Sequence, residues 1–293
     1  MAALVVAGAI MASLGLVLSV VLALANRKLY VAEDPRIEAV EELLPKANCG
    51  ACGYPGCRAF AEALVTGETI PGRCSASPPE GVEAIAELLG VEAGSRVKRV
   101  ARLACAGARH VARQRARYQG LQSCRAASLV GGGGKGCAWG CLGLGDCAAA
   151  CPFGAIRLNE NSLPVVDEDK CTACGECVIA CPKDLFSLHD VNHRLWVACS
   201  NRLMGKAATA ECEVACTGCG ICARSAPEGL ISIVDNLATV DYEKNELASQ
   251  DAIQRCPTGA IVWMDEEKGP VKGAKAKQAK MAKMEKEKAT VDI

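Results

Sequence analysis

Residues 137–182 read CAWGCLGLGDCAAACPFGAIRLNENSLPVVDEDKCTACGECVIACP and contain eight cysteines. The second half of this stretch has the pattern C-x2-C-x2-C-x3-C-P, with its proline at Pro182. In bacterial iron–sulfur proteins with this pattern, three thiolates hold one [4Fe–4S] cluster and the fourth reaches the neighbouring cluster. The first half, C-x3-C-x5-C-x3-C-P, varies the same theme. The stretch therefore predicts two adjacent [4Fe–4S] clusters in one ferredoxin-like module.

This crossing of ligands divides the eight cysteines into two predicted sets. The first set is Cys137, Cys141, Cys147 and Cys181, and the second is Cys151, Cys171, Cys174 and Cys177. A pair of zinc sites is the alternative, because four cysteines with C-x2-C spacing also suit zinc. Zinc gives no reason for a proline after the fourth cysteine, so the pattern favours iron–sulfur clusters.

The composition favours small metal-stabilised modules. The chain has 293 residues, 20 cysteines and only 3% aromatic residues, which argues against one large apolar core. Repeated C-x2-C spacing is typical of metal ligands rather than of disulfides, so we expect a reducing compartment. A formal net charge of +0 and the lack of a nucleic-acid-binding motif argue against DNA or RNA as partners.

The N-terminal residues 1–29 are predicted to form a transmembrane anchor. Residues 3–25 carry no charge and are long enough to cross about 30 Å of hydrocarbon as a helix. A cleaved signal peptide is the alternative, but no Lys or Arg precedes the apolar run, whereas Arg27 and Lys28 follow it. The positive-inside rule then predicts a single-pass protein of the cell (inner) membrane with its cluster domains in the cytoplasm.

Residues 30–77 are predicted to form a small [4Fe–4S] domain. An amphipathic helix over residues 34–46 leads to the run NCGACGYPGC, and a fourth cysteine follows. The predicted ligands of this cluster are Cys49, Cys52, Cys57 and Cys74. Zinc is again the alternative, and it is more open here because the set does not end in Cys-Pro.

Residues 78–135 are predicted to be a linker with a basic segment. Residues 96–117 include no Asp or Glu. Such a segment is either a landing surface for an acidic protein such as a soluble ferredoxin or a solvated face. Cys105 and Cys124 fall in this region without close partners in sequence.

The C-terminal part contains a second, degenerate copy of the module. We assign residues 136–198 to a two-cluster ferredoxin-like domain and residues 199–264 to its degenerate copy, which ends in Cys256-Pro257. One set of ligands is complete in this copy: Cys216, Cys219, Cys222 and Cys256. Ala226 replaces one cysteine of the other set, and residues 245–254 contain none, so we expect that a whole cluster has been lost.

Four cysteines remain without an assignment. They are Cys105, Cys124, Cys199 and Cys212. They suit a fifth [4Fe–4S] cluster by number, although Cys124 or Cys212 sharing a neighbouring set and plain structural thiols are alternatives. The Lys-rich residues 265–293 have almost no apolar content from Lys268 onward and are predicted to be disordered.

No catalytic arrangement stands out in the sequence. The glycine run at residues 131–134 is interpreted as a flexible turn rather than a phosphate-binding loop, and no Ser-His-Asp pattern stands out. His110, His189 and His193 are scattered, and each is expected to be a surface residue rather than a base. We therefore predict a chain without catalytic side chains, whose chemistry is one-electron transfer through its clusters.

Three motifs together resemble one known family. They are CGACGYPGC at residues 49–57, GGGGKGCAWGCLGLGDC at residues 131–147 and CTACGECVIACP at residues 171–182. With the anchor, they make the chain similar to the B subunit of Rnf complexes, the ion-translocating ferredoxin:NAD oxidoreductases of bacterial and some archaeal membranes.

This resemblance implies a subunit of a translocase that takes electrons from reduced ferredoxin and passes them to membrane subunits and a flavin subunit. Coupling to Na+ or H+ would occur in other subunits. It also implies an α+β fold: an N-terminal transmembrane helix, a small helical [4Fe–4S] domain and tandem bacterial ferredoxin-like modules, the second degenerate. A component of a corrinoid-type iron–sulfur enzyme and a structural zinc-binding module are the alternatives.

Overall fold

The computed structural model describes residues 2–29, 34–95 and 97–276. Its α-helices in these ranges are α1 (Ala2–Leu29), α2 (Pro35–Leu43), α3 (Cys57–Val65), α4 (Pro79–Leu89), α5 (Cys124–Leu129), α6 (Asp146–Ala149), α7 (Glu176–Ala180), α8 (Gly205–Glu211), α9 (Ile221–Ser225) and α10 (Asp251–Gln254). Two 3₁₀ helices, Pro71–Arg73 and Tyr242–Leu247, add to them.

The strands are short and pair antiparallel. They are β1 (Arg99–Leu103), β2 (Ile156–Leu158), β3 (Pro164–Val166), β4 (Phe186–Asp190), β5 (Leu195–Val197), β6 (Ile231–Val234), β7 (Leu237–Val240), β8 (Ile261–Asp265) and β9 (Gly269–Lys272). They form the sheets β1-β4, β2-β3, β5-β8-β9 and β6-β7. The mixed helix and strand content confirms the predicted α+β class.

Helix α1 carries the predicted apolar span. Within it, Val6–Leu29 has a mean hydropathy of 2.4 and buries nothing against the rest of the protein. By length and composition this segment is able to cross a membrane. The hydroxyls of Ser13 and Ser19 donate to helix carbonyls, so they leave no unpaired polar group on its surface.

Helices α2, α3 and α4 form a small helical unit. Their apolar faces meet at Val40, Phe60 and Ile85, each at most 1% exposed. The Asp34 carboxylate caps α2 by accepting a hydrogen bond from the backbone N–H of Arg36. The amphipathic helix predicted over residues 34–46 is thus present as α2.

The rest of the described chain consists of two similar halves. In the first, β1 pairs with β4 beside the β2–β3 hairpin, and Ala101, Ile156 and Phe186 line its core. In the second, β5 pairs with β8 beside the β6–β7 hairpin. The short helices α6, α7 and α9 each begin after a glycine in the left-handed region, within a cysteine run.

Residues 78–135 contain more structure than a linker. They include α4, β1 and α5, and β1 supplies the first half with a strand. Within the basic segment, Arg102 is 4% exposed and pairs with Glu168, while Arg115 pairs with Glu211 at 2.7 Å. Much of its positive charge is therefore balanced by acidic residues from later in the chain.

The beginning of the predicted disordered tail is ordered, which corrects the sequence-based prediction. Strand β9 pairs with β8 and places Val271 opposite Trp263. Gly273 then lies so close to the carbonyl of Ile253 that no side chain fits there. Low apolar content did not prevent order here, because backbone pairing with β8 supplies the contacts. The predicted disorder of residues 277–293 lies outside the described residues.

Candidate iron–sulfur sites

The cysteines of the small helical unit lie around the start of α3. We call them the small-domain group: Cys49, Cys52, Cys57 and Cys74. Three of them, Cys52, Cys57 and Cys74, pack against the core of this unit. Burial raises the pKa of Cys52, and the neighbouring thiolates of Cys74 and Cys49 raise it further. The structure thus brings together the set predicted from sequence.

A second group lies between α7 and the β2–β3 hairpin. We call it the outer group: Cys151, Cys171, Cys174 and Cys177. Burial raises the pKa of Cys177 to about 12, with further contributions from the other three thiolates of the group. Backbone N–H groups of Ala155 and Ala101 donate to the sulfurs of Cys151 and Cys171 at 3.3 and 3.4 Å. This group also matches its predicted set.

A third group lines a cavity in the second half of the protein. We call it the terminal group: Cys216, Cys219, Cys222 and Cys256. Burial raises the pKa of Cys222 to about 11, and Cys216, Cys256 and Cys219 add to the effect. Cys219 is exposed, whereas the other three are buried. The structure again assembles the set predicted from sequence.

The fourth group also lines a cavity, but its cysteines differ from the predicted set. We call it the inner group: Cys124, Cys141, Cys147 and Cys181. Cys124 of helix α5 occupies the place for which sequence spacing suggested Cys137. Burial raises the pKa of Cys147 to about 12, and among the neighbouring thiolates Cys124 contributes most to this rise.

Asp146 holds Cys124 in this position. Its carboxylate accepts hydrogen bonds from the backbone N–H groups of Cys124 and Arg125, at 2.8 and 3.1 Å, and from the Ser123 hydroxyl at 2.9 Å. Burial alone would raise the pKa of Asp146, but these three hydrogen bonds lower it below its ordinary value. Sequence reasoning missed this role, although Asp146 lies directly before a predicted ligand.

The remaining cysteines line a cavity between the two halves. We call them the junction group: Cys105, Cys137, Cys199 and Cys212. All four are buried. Burial raises the pKa of Cys212 to about 11, and the thiolates of Cys105 and Cys137 contribute in the same direction. Three of these cysteines belong to the predicted fifth set, with Cys137 in place of Cys124.

A signal for this exchange is present in the sequence. Counting back from Pro152 with the C-x2-C-x2-C-x3-C-P spacing places the four ligand positions at 141, 144, 147 and 151. Position 144 is Leu144, so one ligand is missing and Cys137 lies outside the pattern. The spacing therefore indicates that a distant cysteine completes the inner group, but it does not say which one.

The chemistry of these groups fits a cationic iron–sulfur core. Burial and neighbouring thiolates raise the pKa of Cys141 and Cys177 to about 12, so a strongly positive group is needed to keep them as thiolates. Four thiolates around one site are the ligand set of a [4Fe–4S] cluster, and the Cys-Pro pairs that complete three of the groups are typical of such clusters rather than of zinc.

The histidines differ from the sequence-based expectation. His110 is exposed, as expected, but His189 and His193 are half-buried in an aromatic cluster. The His193 ring stacks on Tyr242 at 4.4 Å, and the His189 ring lies 4.9 Å from Trp196. Burial and neighbouring positive charges lower the pKa of His189 to about 4. This cluster joins β4 of the first half to the second half.

Comparison with known proteins agrees with this geometry. An Fe-S cluster family model (FeS) matches residues 44–76, and a 4Fe-4S dicluster domain model matches residues 136–185. The B subunit of the Na(+)-translocating ferredoxin:NAD(+) oxidoreductase complex of Acetobacterium woodii is 44% identical over 247 residues, or 84% of this chain and 74% of that protein. The chain belongs to the Rnf B-subunit family.

Two further Rnf B subunits support this assignment. The B subunit of the proton-translocating ferredoxin:NAD(+) oxidoreductase complex of Clostridium ljungdahlii is 39% identical over 86% of this chain and 89% of that protein. The B subunit of the ion-translocating oxidoreductase complex of Methanosarcina acetivorans is 36% identical over 86% of this chain and 96% of that protein. The relatives' names include both Na(+) and proton translocation, so Rnf B membership does not select the coupling ion.

Proposed function

We propose that this chain is the membrane-anchored iron–sulfur electron-transfer subunit of an ion-translocating ferredoxin:NAD+ oxidoreductase. It would accept electrons from reduced ferredoxin and relay them to membrane and flavin subunits. The observation that carries the proposal is the arrangement of the cysteine groups: each group lies next to another one, instead of at a separate surface of the protein.

The first link joins the small-domain and outer groups. Cys74 and Cys171 line the same cavity between the small helical unit and the first half. After burial and the Cys151 thiolate, the thiolate of Cys49 also raises the pKa of Cys174. The rate of electron transfer falls steeply with distance. The closeness of the small-domain and outer groups therefore supports direct transfer between them.

The second link joins the outer and inner groups. Cys177 and Cys147 are buried in one packing cluster, together with the partly buried Cys151, Cys171 and Cys181. This is the crossed arrangement of a two-cluster ferredoxin, in which one helix contributes ligands to both sites.

The clusters themselves supply one-electron transfer when bound. The protein's part is to hold, bury and hydrogen-bond the sulfur ligands. Backbone N–H groups of Ala155 and Leu185 donate to the sulfurs of Cys151 and Cys181 at 3.3 and 3.5 Å. Such hydrogen bonds stabilise the more negative, reduced state and so raise the reduction potential.

Ferredoxin would donate its electron at the terminal group. Cys219 is the one exposed cysteine among the described residues, so this group is the most accessible to a soluble partner. The small-domain group lies near the anchor in sequence, which suits transfer toward membrane subunits. Arg27 and Lys28 at the end of α1 favour a cytoplasmic position for all the cluster sites.

The test uses the full-length chain, purified anaerobically in detergent. Visible absorption and EPR spectra should change when reduced ferredoxin is added, and the sample should contain iron and acid-labile sulfide in equal amounts. Zinc without sulfide would show a structural zinc module, and a bound corrinoid would favour the corrinoid-enzyme alternative. Iron and sulfide without any exchange with ferredoxin would contradict the proposed partner.

A further inference from the structure

The two halves of the protein correspond residue by residue around the junction group. Cys137 lies four positions before Cys141, and Cys212 lies four positions before Cys216. Because Cys141 and Cys216 each open a cysteine run, Cys137 and Cys212 occupy equivalent positions in the two halves.

The other two junction cysteines are equivalent through strand pairing. Leu103 pairs with Phe186 in the first half, and Val197 pairs with Ile261 in the second. Phe186 and Ile261 each lie five positions after the cysteine of a Cys-Pro pair. A junction cysteine then follows each paired strand at the same distance, Cys105 after Leu103 and Cys199 after Val197.

Direct contacts hold the two halves together beside this group. The Ala106 N–H donates to the carbonyl of Ala198 at 2.9 Å, and the Ser200 hydroxyl donates to the carbonyl of Ala104 at 3.0 Å. Cys212 itself forms a β-bridge with Ala112. The junction cavity is therefore a fixed part of the fold, with each half contributing two of its four cysteines.

We propose that the two halves jointly hold a fifth [4Fe–4S] cluster, bound by the junction group at their interface. This inference rests on the proposed function for the kind of cluster, but its ligand set is independent of the electron donor. It revises both predicted sets, because Cys137 and Cys124 exchange places between the inner and junction groups.

Two equivalent hydrogen bonds connect this site to its neighbours. The backbone N–H of Cys141, in the inner group, donates to the sulfur of Cys105 at 3.4 Å. The backbone N–H of Cys216, in the terminal group, donates to the sulfur of Cys199 at 3.3 Å. On each side, the first cysteine of a neighbouring run thus touches a junction sulfur directly.

The junction cluster would therefore complete a single chain of sites. The order is small-domain, outer, inner, junction and terminal: the first two groups line one cavity, the next two share a packing cluster, and the last two steps are backbone-to-sulfur hydrogen bonds. Without a cluster at the junction, the inner and terminal groups would be separated by the whole interface between the halves.

A partly buried cation also suits a cluster at this place. Lys135 lines the junction cavity, and its Nζ donates to the carbonyl of Cys141 at 2.6 Å and to that of Gly107. Its charge therefore lies beside a junction cavity wall and beside Cys141 of the inner group. This charge offsets part of the negative charge that four thiolates bring.

Paired substitutions test which cysteines share a cluster. Iron and acid-labile sulfide are counted in the full-length protein purified anaerobically in detergent, and we expect about 20 of each for five clusters. Cys137→Ala with Cys212→Ala should remove about four of each, because both residues belong to one site. Cys124→Ala with Cys212→Ala should remove about eight, because these residues belong to two sites.

The grouping first suggested by sequence spacing predicts the reverse losses, so that result would overturn the proposed ligand set. Native mass spectrometry of the unmodified chain counts the clusters without any substitution, and a mass for only four would overturn the fifth cluster. Five clusters without reduction by ferredoxin would leave this inference intact and contradict the proposed function instead.

Discussion

Asp146 shows how one side chain outside the cysteine runs determines a cluster site. It ties helix α5 to α6 through three hydrogen bonds and so places Cys124 beside Cys147. A hydrogen bond to a charged acceptor has a net contribution of about 1.5–3 kcal/mol, compared with about 0.5–1.5 kcal/mol for a neutral pair, so this carboxylate is a strong anchor.

We predict that Asp146→Ala releases Cys124 and lowers stability by about 2 kcal/mol, because the N–H groups of residues 124 and 125 lose a charged acceptor. Iron analysis should show a loss of about four iron per chain. Asp169→Ala is the matched control, since this side chain is fully exposed, and it should keep all its iron. Equal iron in both variants would rule out the positioning role of Asp146.

The half-buried His189 makes the stability of the folded protein depend on pH. Its pKa is lowered to about 4 by burial first, then by the positive charges of His193, Arg102 and Arg99, with Asp190 acting against them. An unfolded histidine has a pKa of about 6.5, so below that pH the unfolded chain binds a proton that the folded chain does not. Stability from this residue is therefore complete above about pH 6.5 and is lost as the pH falls.

Replacing His189 by Phe keeps an aromatic ring and removes the titration. Between pH 7.5 and 5.5 we expect the wild type to lose about 1 kcal/mol more stability than His189→Phe. Thermal unfolding at a series of pH values, followed anaerobically, measures this difference. His110→Gln, which changes an exposed histidine, should follow the wild type. A variant at position 189 with an unchanged pH dependence would show that the lowered pKa has no effect on folding.

At the scale of elements, strand β9 extends the second half beyond residue 264, the predicted end of that domain. Gly273 closes this pair against α10, where an added Cβ would collide with the backbone of Ile253. Helix α10 ends at Gln254, next to the terminal-group ligand Cys256. The start of the Lys-rich tail thus helps to position a cluster ligand.

We predict that Gly273→Ala destabilises the protein by about 1–3 kcal/mol, the usual cost of overpacking a closed site. Gly81→Ala in helix α4 is a suitable control, because its new Cβ would meet only ordinary contacts at 3.6 Å with Leu43 and Pro78. We expect that control to be neutral or slightly stabilised, since alanine favours helix. Midpoints of thermal unfolding compare the two variants. Similar midpoints for both would mean that β9 does not pack in solution.

Local spacing explains which elements were predictable. The outer and terminal groups draw three ligands from one short run and the fourth from a Cys-Pro pair, so a pattern of a few residues defines them. The inner and junction groups depend on Cys124 and Cys105, which reach their partners through α5 and the β1–β4 pairing. No spacing within a run encodes such long-range contacts, and β1 itself lies in a segment that reads as a basic linker.

At the scale of the whole molecule, the proposed relay places the five groups in an unbranched series, which would make electron transfer sensitive to each step. The terminal group has the exposed Cys219 at one end, and the small-domain group lies at the other. In an unbranched series, loss of one site isolates every site beyond it from the donor. The clusters that remain reducible after one site is removed therefore show from which end electrons enter the series.

We predict that the Cys137→Ala/Cys212→Ala protein still accepts electrons from reduced ferredoxin at its terminal cluster, while reduction of the inner, outer and small-domain clusters slows by at least about tenfold. Without the junction cluster, electrons would have to tunnel directly from the terminal to the inner cluster, and the longer distance would slow this transfer. Freeze-quench EPR, which counts the reduced clusters at each time, measures this effect.

Cys174→Ala is the matched lesion in the outer group, and it should leave the inner and junction clusters rapidly reducible. If ferredoxin instead enters at the small-domain group, Cys174→Ala will block all the later clusters, and the proposed direction will be wrong even though the series itself stands.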